Sequence, residues 1–253
     1  MLDTSNLSKF LKGITDALRT IKGTTDIIEH KFIDEEILNL SAVNDKDDNY
    51  NIIKAILMGC KSSMDYSNFF RDSDINDTQL ATFVREFPNE LGKRVGSSVS
   101  SVSNLFRGCR KLTVIPKNTF YIDSVGIKGT NLFGSTSNIV AIWVPLRFYC
   151  ENSGADLAYY QRATDILPTL SMSNSTLKEI RVAGNGIKQS IDFSYYYGFS
   201  KESYMSIADG LIDLTGTSNA YKLTINDSYR VMGNDYDKFI LKVHNKGWTI
   251  VTK

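Results

Sequence analysis

Side chains suited to proton, metal or acyl chemistry are few in this chain and far apart. Its 2 histidines, His30 and His244, stand near opposite ends, and neither lies in an H-x-x-x-H pair or beside a cysteine. Those are the arrangements that bring two ligands to one metal or an imidazole to a thiolate. The 3 cysteines, Cys60, Cys109 and Cys150, are an odd number at wide intervals. That fits neither a disulfide framework nor a zinc site, so all three read as small apolar residues for a core. The pattern G-x-S-x-G is absent, and Gly184-Asn185-Gly186 lacks the continuation of a dinucleotide site and reads as a β-turn. D-K-D-D-N at 45–49 has neither the turn glycine nor the distal glutamate of a calcium loop and reads as a solvated break. Among 28 acidic residues, spacing alone singles out no glycosidase pair. The expectation is a protein that is not an enzyme and uses no metal or cofactor.

Aromatic residues offer a different chemistry. Tyr195, Tyr196, Tyr197 and Phe199, together with Tyr159, Tyr160 and Trp143, are flat faces able to stack on sugar rings. Tyr159, Tyr195, Tyr196 and Tyr197 are the candidates for a glycan or partner surface. In a strand, alternate members of such a run turn to the core, which would leave only part of the set outside.

Elements that position these residues follow from the apolar pattern. Short strands are expected at Leu112–Ile115 before Pro116, Ile139–Val144 before Pro145, Leu177–Val182, Tyr221–Ile225 and Trp248–Val251. Ile191 and Phe193 alternate with polar neighbours as a strand would. The spacing of Leu157, Tyr160, Ala163 and Ile166 or Leu167 predicts a short helix after Cys150, capped by Asn152 or Ser153. A second helix begins at a Ser200 cap, carries Tyr204, Ile207, Ala208, Leu211 and Leu214 on one face, and closes at Gly216. The turn Asn245-Lys246-Gly247 should deliver Trp248 as a lid on the last strand. At the other end, Leu7, Phe10, Leu11, Ile14, Leu18 and Ile21 form the apolar stripe of an amphipathic helix over residues 4–22. Such a stripe either folds back onto a core or meets another chain. Residues 24–40 also carry apolar pairs at helical spacing.

The 253 residues suffice for a sizeable core, with 42% hydrophobic and 23% charged residues. With 29 basic against 28 acidic side chains there is no bulk field to draw a nucleic acid. No run of apolar residues is long enough to insert in a membrane, and the first residues lack a secretory pattern.

Asn104 to Pro116, N-L-F-R-G-C-R-K-L-T-V-I-P, resembles the LF-x-x-C-x-x-L-x-x-I-P unit of BspA-like leucine-rich repeats, which occur in surface proteins and phage fibres. One such layer buries itself only by stacking on the next. D-Y-S-N-F-F at 65–70 looks like a degenerate first unit. The ending, with S-I-A-D-G-L-I-D-L-T-G, K-L-T-I and N-K-G-W-T-I, is similar to that of phage and Bacteroidales leucine-rich surface proteins. The opening residues are similar to those of tail and fibre proteins of crAss-like and other Bacteroides phages.

These readings make the fold class α+β: an irregular leucine-rich-repeat-like, BspA-type solenoid body over 49–253 with an N-terminal helical anchor or oligomerisation segment over 1–48. A small α+β domain without true repeats is the plainer alternative. The resemblance implies a non-enzymatic phage virion protein, a subunit of a head, collar or tail fibre assembled in the host cytoplasm. Its partners would be itself, as homodimer or homotrimer, the capsid, collar or tail proteins, and a host-surface glycan. A monomeric leucine-rich adhesin or glycan-binding module is the alternative, and a glycan depolymerase the third.

Overall fold

The structure, a computed structural model, describes residues 66–92, 101–121, 131–136, 138–151, 157–168 and 176–253, all within the unit Asp65–Lys253. The stripe Leu7, Phe10, Leu11, Ile14, Leu18 and Ile21, the break at 45–49, His30 and Cys60 lie outside the described residues. What is described is α+β, with three α-helices, two small parallel sheets and one antiparallel hairpin.

Helix α1 (Asp77–Glu86) starts at a capping box. The Asn76 side chain accepts from the Gln79 N–H, and the Gln79 side chain accepts from the Asn76 N–H, each at 3.0 Å. This satisfies two amides that a helix start otherwise leaves open. Leu80, Phe83 and Val84 form its buried face, and it stops before Pro88, which disfavours helical geometry in the preceding residue.

Around this helix, three short turns lie one on the next. Main-chain amides of Asn68, Phe70 and Asp72 donate to the carbonyls of Ser103, Leu105 and Arg107, and those of Phe106 and Gly108 to Leu132 and Gly134. Asn68, Asn104 and Asn131 occupy the same left-handed conformation at φ 63, 55 and 54°, a region that asparagine tolerates better than most residues. Phe70, Phe106 and Phe133 stack face to face, at 5.4 Å and 1° between the first two rings and 5.9 Å and 3° between the last two. All three rings are essentially fully buried, each worth roughly 1.5–3 kcal/mol of transfer energy.

The first sheet orders β1 (Val114–Ile115), β2 (Ala141–Leu146) and β5 (Glu179–Val182), all parallel. Sequence placed a strand stop at Pro145; the strand instead runs through it. Strand β1 pairs only with Ala141 and Ile142, so at Pro145 that edge of β2 is open and the missing N–H costs no ladder bond. The β2–β5 register slips between Ile142 and Pro145 to accommodate it.

A hairpin of β3 (Tyr149–Glu151) and β4 (Leu157–Tyr159) replaces the helix expected after Cys150, and only a short 3₁₀ turn, Ala163–Asp165, is helical there. Hairpin pairing with the preceding strand overrides the local three-residue spacing. The second sheet orders β6 (Ile191–Asp192), β7 (Lys222–Ile225) and β8 (Thr249–Thr252), again parallel.

Helix α2 (Lys201–Gly210) has the Ser200 cap read from sequence, but it ends at Leu211 rather than Gly216. Leu211 leaves the helix to make a parallel bridge with Ile187, and the Leu214 amide donates to the Lys246 carbonyl. The stretch containing Phe239 and Val243 is helix α3 (Tyr236–Asn245), with those two residues buried. Gly247 turns at φ 76°, and Trp248 is buried with its indole N–H donating to the Ile212 carbonyl at 2.7 Å, as the lid reading expects.

Candidate functional site

Strand β2 buries Ala141, Ile142, Val144 and Leu146 and turns Trp143 and Pro145 outward. In β5, Ile180 is buried, while Glu179 and Arg181 face out. Alternation therefore puts an indole and a guanidinium side by side on the outer face of the first sheet. The Arg181 Cζ lies 4.9 Å from the Trp143 ring centroid, a cation–π contact worth about 0.5–1 kcal/mol at a partly exposed site. Arg181 also donates to the Ile180 carbonyl at 2.9 Å and reaches Glu179 only at 3.5 Å.

Beside this pair runs a groove of about 730 Å³. One wall is the sheet face, with Trp143, Pro145, Arg181 and Val182. The facing wall is made of Asn89 and the segment after β1, where Lys117, Asn118, Phe120 and Tyr121 sit. This second wall is fixed by the main chain: Asn89 N–H donates to the Asn118 carbonyl at 2.7 Å and Tyr121 N–H to the Leu91 carbonyl at 2.9 Å. Phe120 is buried beneath it against Phe106 and Phe133. Ser206, from α2, closes one end and accepts from the Val182 N–H at 2.9 Å. A planar aromatic, amides able to donate and accept, and cations make a recognition surface for a polar, ring-containing ligand.

The expected tyrosine surface is not one face. Tyr197 is 56% exposed and Tyr195 half-buried, but Tyr196 is fully buried and stacked on Phe199 at 5.1 Å. Asn226, itself buried, donates to the Tyr196 carbonyl at 2.5 Å and the Ser194 carbonyl at 3.3 Å, pinning this turn inward. Burial, with Asp165 nearby, pushes the Tyr196 hydroxyl well above the usual phenol range. Tyr159 pairs with Tyr149 through the main chain of the hairpin; its side chain lies outside the description. Of the aromatic residues singled out in the sequence whose side chains are described, Trp143 is the one that reaches the groove. Arg181 and Lys117 were missed, although the alternation of L-K-E-I-R-V already places Arg181 opposite buried Ile180.

Among the described residues no group of three or more histidine, cysteine or acidic side chains is placed to hold a metal. Cys109 is buried, donates to the Phe70 carbonyl at 2.8 Å, and burial pushes its thiol up to about 12, far from a thiolate at neutral pH. His244 lies exposed in the last turn of α3, where a cation complements the helix dipole. Gly184-Asn185-Gly186 is a turn, with the Gly186 amide donating to the Ala183 carbonyl at 2.8 Å. No described helix is long and apolar enough to cross a membrane.

No protein-family model, curated protein or solved structure matches the chain.

Proposed function

We propose that this chain is a non-enzymatic structural and attachment protein, a subunit of an oligomeric virion fibre with an irregular leucine-rich, BspA-type solenoid body. The observation that carries the reading is the level-on-level repetition of Asn68-Phe70, Asn104-Phe106 and Asn131-Phe133, in which equivalent turns share conformation, ring stacking and main-chain bonds. A layer of this kind cannot bury itself alone, which is the logic of a repeat body. The resemblance of both chain ends to phage fibre and surface proteins supplies the virion setting, with capsid, collar or tail proteins as the platform. The N-terminal stripe supplies the assembly element.

The test is solution mass by light scattering on the full chain and on a Phe10→Asp/Ile14→Asp variant. The reading expects a homodimer or homotrimer for the unchanged chain and a folded monomer for the variant. A monomeric unchanged chain would set the fibre reading aside in favour of a monomeric leucine-rich binding module. The Trp143–Arg181 groove favours that second reading, because it supplies a ligand surface without any assembly.

A further inference from the structure

The groove on the outer face of the first sheet has a chemical bias that narrows its ligand. Among the described residues two cations, Lys117 and Arg181, line it, and no acidic residue does. Among the described residues, two acids close to the lining in sequence are engaged elsewhere or only loosely opposed to it. Glu90, next to Asn89, accepts from the Tyr66 hydroxyl at 3.4 Å, and Glu179 stands 3.5 Å from Arg181. Lys117 is exposed and has no acidic partner among the described residues. Arg181 is held by Trp143 and by the Ile180 carbonyl, so its planar fork is ordered before any ligand arrives.

The rest of the lining argues against a simple inorganic anion. Trp143, half-buried, and Tyr121 give flat apolar surface, while Asn89 and Asn118 are exposed amides that both donate and accept. The Ser206 oxygen accepts from the Val182 amide, leaving its own proton to donate. Sugar rings present this combination: an apolar C–H face for an aromatic ring and hydroxyls for amides. A volume of about 730 Å³ accommodates several linked rings rather than one.

We propose that the groove binds a carboxylate-bearing oligosaccharide, its acid groups paired with Arg181 and Lys117 and its ring faces set against Trp143 and Tyr121. This rests on the reading of the chain as an attachment protein and names the class of glycan it attaches to.

Intrinsic fluorescence tests it on the full chain. The protein has 2 tryptophans; Trp248 is 2% exposed and hydrogen-bonded inside, so a ligand in the groove is reported by Trp143. The probes are tetragalacturonate and a sialic acid tetramer, with maltotetraose as neutral sugar and polyglutamate as non-sugar polyanion. The expected result is a saturable emission change with at least one acidic tetramer, absent in Trp143→Phe. Arg181→Gln and Lys117→Gln should each weaken it about tenfold, as loss of a charge-assisted pair does. Equal binding of maltotetraose, unaffected by the charge variants, would overturn the acidic class while leaving a sugar-binding groove. Equal binding of polyglutamate would overturn the saccharide assignment. No response to either acidic tetramer would overturn the proposal outright, and the oligomer mass measured by light scattering would still judge the fibre reading by itself.

Discussion

Gly210 shows how a single missing Cβ sets a helix against a strand. It is the last residue of α2, and a Cβ built there would stand 2.7 Å from the Val182 Cβ, an atom fixed to the β5 backbone. Alanine ordinarily favours a helix over glycine, yet here it forces the two elements apart. Gly210→Ala should cost about 2 kcal/mol or more in denaturant unfolding. Gly216→Ala, in open space but at φ +75°, should cost about 1 kcal/mol, and Gly184→Ala, with neither constraint, close to nothing. Equal costs for Gly210 and Gly216 would mean that the contact with Val182 relaxes freely. At this scale the sequence was a fair guide wherever the cause was local. Gly247 and Trp248 behave as their turn chemistry dictates, and Cys109 as a small core residue. Tyr196 was not legible, because what turns it inward is Asn226, arriving from 30 residues away.

Between elements, the C-terminal part is held by polar ties. Lys246 reaches the carbonyls of Asp209 and Leu211 at 2.7 and 2.6 Å, closing the open end of α2 from the turn after α3. Asp235, just before α3, binds Lys238 at 2.8 Å and pairs with Lys201 at the start of α2. The hydrogen bonds from Lys201 and Lys238 hold the Asp235 carboxyl down at about 2, against an ordinary value of 3.8. A lowered folded-state value stabilises the fold above the unfolded value and loses that contribution as pH falls toward the folded one. Unfolding midpoints should therefore drop between about pH 4 and pH 2, and Asp235→Asn should flatten part of that drop. An unchanged pH profile in the variant would show that this tie does not couple the helices. The α1 capping box at Asn76 and Gln79 was written in the sequence and passed over. The spacing of Leu157, Tyr160 and Ala163 fits a helix just as well as the hairpin and 3₁₀ turn that form. What decides is pairing with Tyr149–Glu151, which no local period encodes.

Across the whole described unit, parallel pairing recurs from the turn at Asn68 to strand β8. Phe106 is central to the first part of it, touching Phe70, Phe120 and Phe133. Phe106→Ala should cost about 3–5 kcal/mol. If levels communicate mainly with their neighbours, hydrogen exchange should speed up in the turns around Asn68, Asn104 and Asn131 while β7 and β8 keep their protection. Uniform acceleration everywhere would point to one cooperative α+β core instead. The six strand positions read from the sequence, Ile191 to Phe193 included, all correspond to observed strands, shifted by one or two residues, because buried aliphatic runs with Pro, Gly or polar stops leave a local trace. Trp143 and Arg181 left a trace one by one, but the groove as a whole did not, since its described lining comes from five separate segments. The asparagine turns carry a last consequence. Asn104 lies 36 residues after Asn68, and Asn131 follows Asn104 at a shorter interval, yet the same amide-to-carbonyl bonds form at each step. Register is thus indifferent to how much chain is spent between levels. The longer interval holds helix α1 and the shorter does not, so the frame at these two steps does not depend on a fixed repeat length.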